Sequence, residues 1–488
     1  MRKSLVFIFY YSLVIFFFST INATAGGLER ARTKTNDVVN AAIAPGTYAG
    51  AEKAVNETGR VVDQSFDHLV MLTDSTQISS GSKKVVESAS NSLSGIDSYT
   101  NRGLDAIESL SQRLQLQDLT QNVLQGSDVK ISPYFKANME YDSNVFYEPE
   151  APKTRDEVLW VWTPGVSINV PFGDQKQYRV GAVYEARFTD FTRFGEHDDV
   201  GQSLGAVGNF KLRDDLAVNV TEEFVKDAAR AGTRSAKRVE YTDQIVTPSL
   251  VYDWRNWTFE GEYKNAIRNF GSAIYRAFDY DNNAFTARLL RDIAPHFRGL
   301  AEYTFSHYNY DHDGSRVGRY NQIRFGVKGD LSERTNVLAR VGYQQRNYRR
   351  HDTDFDVPVA DVLIRHSLTD RTKLDLYFQR TLQESQFTNN RAYDEKLGQI
   401  SASYLFTEKL RGRAGGSLAQ HKFQNEAFTG AVLVKRRDLI GSTFVGLDYM
   451  FRPWLITNID YRYERSNSNN SNFDYTNNVL SLGMTMPL

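Results

Sequence analysis

Arg179, Glu185 and Arg187 share one parity of a short alternating stretch, and the pattern recurs along the chain with Glu223, then Glu260, Glu262 and Lys264, then Arg298 and Glu302. Arg324 and Lys328, Arg340, Lys373 and Asp375, Arg411 and Arg413, and finally Asp460, Arg462 and Glu464 continue it. Residues two apart in a strand point the same way, so each group puts its charges on one face. An unpaired charge held away from water is costly or titrates to neutrality, so that face must meet water or a dense ion-pair network. Two roles suit such a face. A water-filled wall with a modest excess of basic side chains would favour anions or acidic sugars. Alternatively, opposite charges on neighbouring strands form ladders that brace the wall.

Catalytic constellations are missing from this pattern. There is no H-E-x-x-H and no cysteine, and the 8 histidines are scattered. The reading is therefore non-enzymatic, with no cofactor and no metal expected; a Ser and His meeting on adjacent strands is the alternative that spacing alone leaves open. The segment "DHDGS" at 311, with His307 nearby, offers Asp311 and Asp313 beside a turn glycine. It lacks the later bidentate Glu of a calcium loop, and a polar turn is the plainer reading.

The charged face needs strands to carry it, and from Val129 onward the hydrophobic period is two. Tyr178, Val180, Ala182, Tyr184, Ala186 and Phe188 interleave with Arg179, Glu185 and Arg187; Phe297, Gly299, Ala301, Tyr303 and Phe305 interleave with Arg298 and Glu302; Val337, Ala339, Val341 and Tyr343 interleave with Arg340. Turn-like clusters punctuate the run at 173, 213, 253, 291, 330, 368, 407 and 451, roughly 40 residues apart, the length of two membrane-crossing strands with a tight turn and a longer loop. Longer polar loops are expected near 148, 193, 232, 272, 312, 351, 388, 426 and 468. Counting two strands per interval predicts an all-β transmembrane antiparallel β-barrel over residues 127–488 with about 18 strands, 16 being the alternative. Trp160 and Trp162, Trp254 and Trp257, Tyr303 and Phe305, Tyr449 and Phe451, Trp454, Tyr461 and Tyr463 fall where aromatic girdles would meet the two membrane interfaces. A water-soluble sandwich shares the alternation but not the regular spacing.

Composition agrees with a barrel. Mean hydropathy is -0.48, yet the chain holds 27 Tyr and 30 Phe, because only every second residue of a barrel strand need be apolar. Net charge is -1, which argues against a nucleic-acid partner. The absence of cysteine fits an exported protein and removes the acylated residue of a lipoprotein anchor. Arg2 and Lys3, the uncharged run "LVFIFYYSLVIFFF" and "ATA" ending at Ala25 read as a cleaved signal peptide over residues 1–25. A retained anchor is the alternative. Residues 26–126 have a different period: Val86, Ala89, Leu93, Ile96, Leu104, Ile107, Leu110 and Leu114 recur at helical spacing. That segment is expected to be a mainly helical or disordered periplasmic extension, either an arm that binds a partner or plugs the pore, or a spacer.

The closing hairpin carries a resemblance. Tyr461-Arg462 followed by Arg465, Ser466 and Asn467, and the last strand's Tyr475-Thr476-Asn477-Asn478 start, resemble the ending of a family of outer-membrane β-barrel porins often encoded with exopolysaccharide biosynthesis and export genes. The resemblance covers the barrel, is sharpest over Tyr461 to Gly483, and excludes residues 26–126. It implies an outer-membrane location, contact with outer-membrane lipid and the barrel-assembly machinery, and a conduit or accessory role for an exopolysaccharide with periplasmic export components. A diffusion porin for small solutes is the alternative, and a structural or adhesive barrel the second. Most outer-membrane barrels end on an aromatic residue, whereas this sequence ends on Leu488.

Overall fold

The computed structural model describes residues 129–149, 154–173, 177–230, 238–273, 275–349, 354–387, 390–429 and 432–488. The expected signal peptide, the extension over 26–126, and parts of the loops near 148, 232, 272, 351, 388 and 426 lie outside those residues.

Eighteen strands follow in chain order, numbered β1 to β18. The first nine are Lys130–Asp142, Glu157–Phe172, Tyr178–Phe191, Asp199–Arg213, Leu216–Arg230, Arg238–Trp254, Trp257–Phe270, Tyr280–Ala294 and Phe297–Tyr310. The second nine are Gly318–Ser332, Thr335–Tyr348, Phe355–Thr369, Thr372–Phe387, Asn390–Thr407, Leu410–Thr429, Val432–Arg452, Leu455–Ser468 and Tyr475–Pro487. Each pairs antiparallel with its sequence neighbours, and β18 returns to β1 from Tyr134↔Pro487 to Asp142↔Val479. The Leu488 amide donates to the Pro133 carbonyl at 2.9 Å and extends the seam. The sheet is thus a closed antiparallel barrel of 18 strands. Closure leaves no edge strand unpaired, which a bilayer demands of backbone groups that water cannot reach.

The two ends of the barrel differ in chemistry. At one end the connections are tight, for instance Arg213↔Leu216, Trp254↔Trp257, Ser332↔Thr335 and Thr407↔Leu410, each leaving two residues to turn. Three of the turn clusters use one device. The hydroxyl oxygens of Ser332, Thr369 and Thr407 accept the backbone N–H two residues on, at Arg334, Arg371 and Lys409, so the side chain fixes the reversal. At the other end, the segments after β3, β7 and β17 each form a short 3-10 turn capped by an aspartate. Asp198, Asp279 and Asp474 accept the amides of Phe191, Phe270 and Ser468, at the last turns of those strands, at 3.2, 2.7 and 2.6 Å. The tripeptide Phe-Asp-Tyr at 278–280 and again at 473–475 marks two of these caps.

The hydrophobic surface is turned outward. Tyr184, Phe188, Tyr303, Phe305, Val341 and Tyr343 are exposed on the outer face, while Glu185, Glu302 and Arg340 beside them are buried on the inner one. Trp254, Phe406, Phe451 and Trp454 ring the tight-turn end and Trp160 and Phe188 the other. Apolar cores are small and lie beneath the longer connections, such as Val145, Phe146, Leu159 and Phe191. On the inner wall between β1 and β2, the Tyr134 ring occupies the space a Cβ at Gly165 would need, and its hydroxyl reaches Glu185 on β3 at 2.7 Å.

Candidate functional site

The inner wall holds a continuous ion-pair network on six adjacent strands. Glu260 and Glu262 on β7, Arg288 on β8, Glu302 on β9, Arg324 on β10, Arg340 on β11 and Asp361 on β12 occupy the same inward parity. Arg288 contacts Glu302 at 2.6 Å, Glu262 at 3.0 Å and Glu260 at 3.6 Å. Arg324 donates from Nε to Glu302 at 2.7 Å and from Nη1 to Asp361 at 3.1 Å. Arg340 closes the array on Asp361 at 2.8 Å and Glu302 at 3.2 Å. Arg340 and Glu302 lie two strands apart, a reach available only on the concave side, where side chains converge.

A second group spans β15 to β17. Arg413 contacts Asp448 at 2.9 Å and Asp460 at 2.7 Å, and Arg411 contacts Asp448 at 3.0 Å. Gly446, between them, leaves no room for a Cβ beside Asp460 and Arg413. Arg187 pairs with Asp227 two strands away at 2.6 Å, and Arg268 is held by Asp243 on the adjacent strand. Arg179 donates to the Asn169 amide oxygen at 2.8 Å, and Arg298 reaches Asp292 at 3.0 Å. Arg462 lies in the field of Glu464, Glu140 and Asp142. Asp375 is buried opposite Arg365, while Lys373 and Lys264 are half-buried.

Of the two roles that the charged face suggests, ladders of opposite sign describe these contacts: Arg179, Arg187, Arg298, Arg324, Arg340, Arg411 and Arg413 each have a carboxylate or amide partner. The excess of basic residues read from the strands is offset by carboxylates that the reading missed, namely Asp227, Asp243, Asp361 and Asp448. Arg288, the hub between Glu262 and Glu302, was missed as well. It follows Thr286 and precedes Leu290 on the inward parity of β8, and two-residue spacing from Thr286 was the available signal. The pair Asp311 and Asp313 belongs to a turn: Asp313 accepts the Ser315 amide at 3.0 Å and hydroxyl at 2.6 Å and pairs with Arg316 at 3.3 Å. Burial opposes ionisation of Asp313, but the Ser315 bonds and the Arg316 charge prevail and hold its carboxyl below the ordinary range. Among the described residues no group of three or more His, Asp or Glu is placed to hold a metal ion.

A third group departs from the regular wall. The β12–β13 ladder ends at Ala360↔Arg380, although β13 stays paired with β14 in register to Glu384↔Ala392 and, after a register shift, at Phe387↔Asn390. Beyond that point the Leu382 backbone bonds to Gln344 of β11 in both directions, at 3.1 Å through its amide and 3.0 Å through its carbonyl. Gln344 is an inner-face residue and lies across β12. Leu382 and Ala392 pack on Val357 and Val359, which share the inward parity of Asp361. The outer ends of β13 and β14 therefore leave the cylinder and lie against its inner surface.

A closed 18-strand barrel, apolar outside and lined with charge inside, is the architecture of an outer-membrane porin. The chain belongs to the family described as "Putative beta-barrel porin 2", whose model matches residues 130–487. No curated protein matches it. Among solved structures it is similar to Pseudomonas aeruginosa OccK3 (OpdO), with 13% identity, a TM-score of 0.42, and 73% of this chain and 96% of that one covered. Acinetobacter baumannii OccAB4 gives 11%, 0.43, 75% and 100%, and a BenF-like porin from Pseudomonas fluorescens Pf-5 gives 10%, 0.43, 74% and 99%.

Proposed function

We propose that this porin passes small polar solutes by diffusion through the barrel, and that the inward residues from Arg179 to Arg462 line the path. The observation that carries the reading is the paired inner wall. Seven ionisable side chains on β7 to β12 pair with one another in a buried band, so that part of the inner face is polar yet nearly balanced in charge and favours no one class of ion. An exopolysaccharide conduit was the first expectation from the closing hairpin. The inward path of β13 and β14 favours small solutes over a polymer, because an extended sugar chain needs a clear bore along its whole length. In this reading residues 1–25 are the export leader, the barrel-assembly machinery inserts the barrel, and the tight turns face the periplasm.

Liposome swelling with the full mature chain tests it. Swelling should be fast with a pentose or hexose and fall steeply with oligosaccharide length, and planar bilayers should show discrete conductance steps. No swelling with any sugar from a folded, heat-modifiable barrel would refute the porin path. Unchanged small-solute uptake together with lost surface polysaccharide in a deletion strain would return the polymer reading.

A further inference from the structure

The ends of β13 and β14 are held inside the barrel by side chains, and the grip has the chemistry of a ligand site. Glu384 of β13 accepts the Tyr348 hydroxyl at 3.2 Å and the Tyr310 hydroxyl at 3.3 Å, and its carboxylate also pairs with the Arg346 guanidinium. Tyr310 stands on β9 and Glu384 on β13, four strands apart, roughly 19 Å along the wall at the usual strand spacing. The contact is therefore made over the inner face of the intervening strands and not within the wall ladder. Arg346 is flanked by the rings of Tyr308 and Tyr320, with its guanidinium 5.7 and 5.3 Å from their centroids. It also donates to the Leu382 carbonyl at 2.9 Å. Arg316, set by Asp313 and lying 4.9 Å from the Phe278 ring, donates to the Ser385 carbonyl at 2.6 Å. One guanidinium and two phenols converging on a carboxylate, with aromatic walls, form a cradle built by β9, β10 and β11 alone. The occupant comes from elsewhere in the chain.

The way the occupant is held makes it exchangeable. Had β13 stayed in the cylinder, its amides and carbonyls would pair with Phe355–Val359 of β12, a ladder nothing in solution can replace. Here that stretch of β12 stays outside the ladder. It includes Pro358, which has no N–H to give and suits a stretch with one neighbour. The grip rests instead on Gln344, Arg346, Arg316, Tyr310 and Tyr348, and a dissolved carboxylate can take up the bonds that Glu384 makes.

Building on the porin reading, we infer that Arg346, Tyr310 and Tyr348 form a carboxylate-binding site which Glu384 occupies as a stand-in, and that a solute carboxylate displaces Glu384 and releases the β13–β14 ends from the bore. The site then couples binding to opening: the ligand competes with Glu384 only in the closed form, so it shifts the population toward the open one.

Acetate is the probe, with acetamide as its neutral counterpart. The full mature chain in a planar bilayer, in constant potassium chloride, should show a saturable conductance rise of about twofold or more when sodium acetate is added at the loop-side face. Acetamide and equimolar extra sodium chloride should give none. Glu384→Gln, checked for heat-modifiable folding, should start at the raised conductance and respond little to acetate. Because the wild-type acetate response needs no variant, the inference stands or falls even where Glu384→Gln does not fold. A wild-type barrel that conducts but ignores acetate, with Glu384→Gln conducting like wild type, overturns this site and leaves the porin intact. A folded barrel that conducts under no condition overturns both.

Discussion

Removing the Glu302 carboxylate tests whether the inner wall is held by local ion pairing or only by overall charge balance. The network on β7 to β12 has four carboxylates and three guanidiniums, so Glu302→Gln makes the count even. Charge counting alone predicts no loss, or a gain. Geometry predicts the opposite. Glu302 is touched by all three arginines, at 2.6 Å from Arg288, 2.7 Å from Arg324 and 3.2 Å from Arg340. Its side chain is 1% exposed, so solvent screening is slight. Breaking a buried pair on one side costs about 3 to 5 kcal/mol. Each arginine keeps another carboxylate, Arg288 through Glu262 and the other two through Asp361, and Gln retains one acceptor. The loss should therefore lie near the lower end, about 3 kcal/mol. Urea titration of the barrel in lipid vesicles, followed by fluorescence of its 5 tryptophans, measures it. A loss under about 1 kcal/mol would show that the wall relaxes around the missing charge and would refute the pairing argument.

Val341→Arg should fail to assemble, judged by heat-modifiable migration on a gel, because Val341 is 62% exposed on the lipid face and an Arg at mid-membrane costs about 2 to 4 kcal/mol. Single cysteines are clean reporters in a chain that has none: Glu196→Cys should react with an impermeant thiol reagent on intact cells and Asp214→Cys should not, and the reverse pattern would invert the barrel. The turn at Asp313 should weaken in acid. Its depressed carboxyl means that stability is fully present above the unfolded value of 3.8 and is lost as pH falls through the lower folded value. Hydrogen exchange over residues 311–317 should accelerate below about pH 3.8, and Asp313→Asn should remove that step.

The strand number and the faces were legible because two solvents enforce them. Lipid outside and charge inside leave an alternation that survives in Tyr184, Glu185, Arg187 and Phe188 or in Arg340 and Val341, and each of the eight turn clusters begins within a few residues of a strand end. Which charge meets which was not legible. Partners are set by stagger and curvature, so Arg340 meets Glu302 two strands back as well as Asp361 beside it, and linear spacing encodes neither. The same stagger hides the partners of the basic residues: Arg340 pairs with Asp361, and Arg411 and Arg413 with Asp448, on neighbouring strands.

The inward turn of β13 left a trace that the alternation rule was bound to pass over. In "RTLQESQF" the positions that continue the lipid-facing parity of Leu376 and Phe378 are Arg380, Leu382, Glu384 and Gln386, and polar groups take three of the four. A segment that fails the lipid test has left the membrane or left the wall. A loop above the bilayer satisfies the first reading and is the ordinary choice. What separates the two is Leu382, fully buried between β12 and the bore, together with Pro358 on the neighbouring strand. An apolar residue with no lipid to meet needs an inner surface to cover, and a proline inside a closed barrel marks where the ladder has one side to spare. The same reasoning explains why Glu384 is tolerated there. A carboxylate facing the bore finds Arg346, Tyr310 and Tyr348, whereas on the outer face the same parity would carry it toward the membrane surface, away from the guanidinium and the two phenols that now hold it.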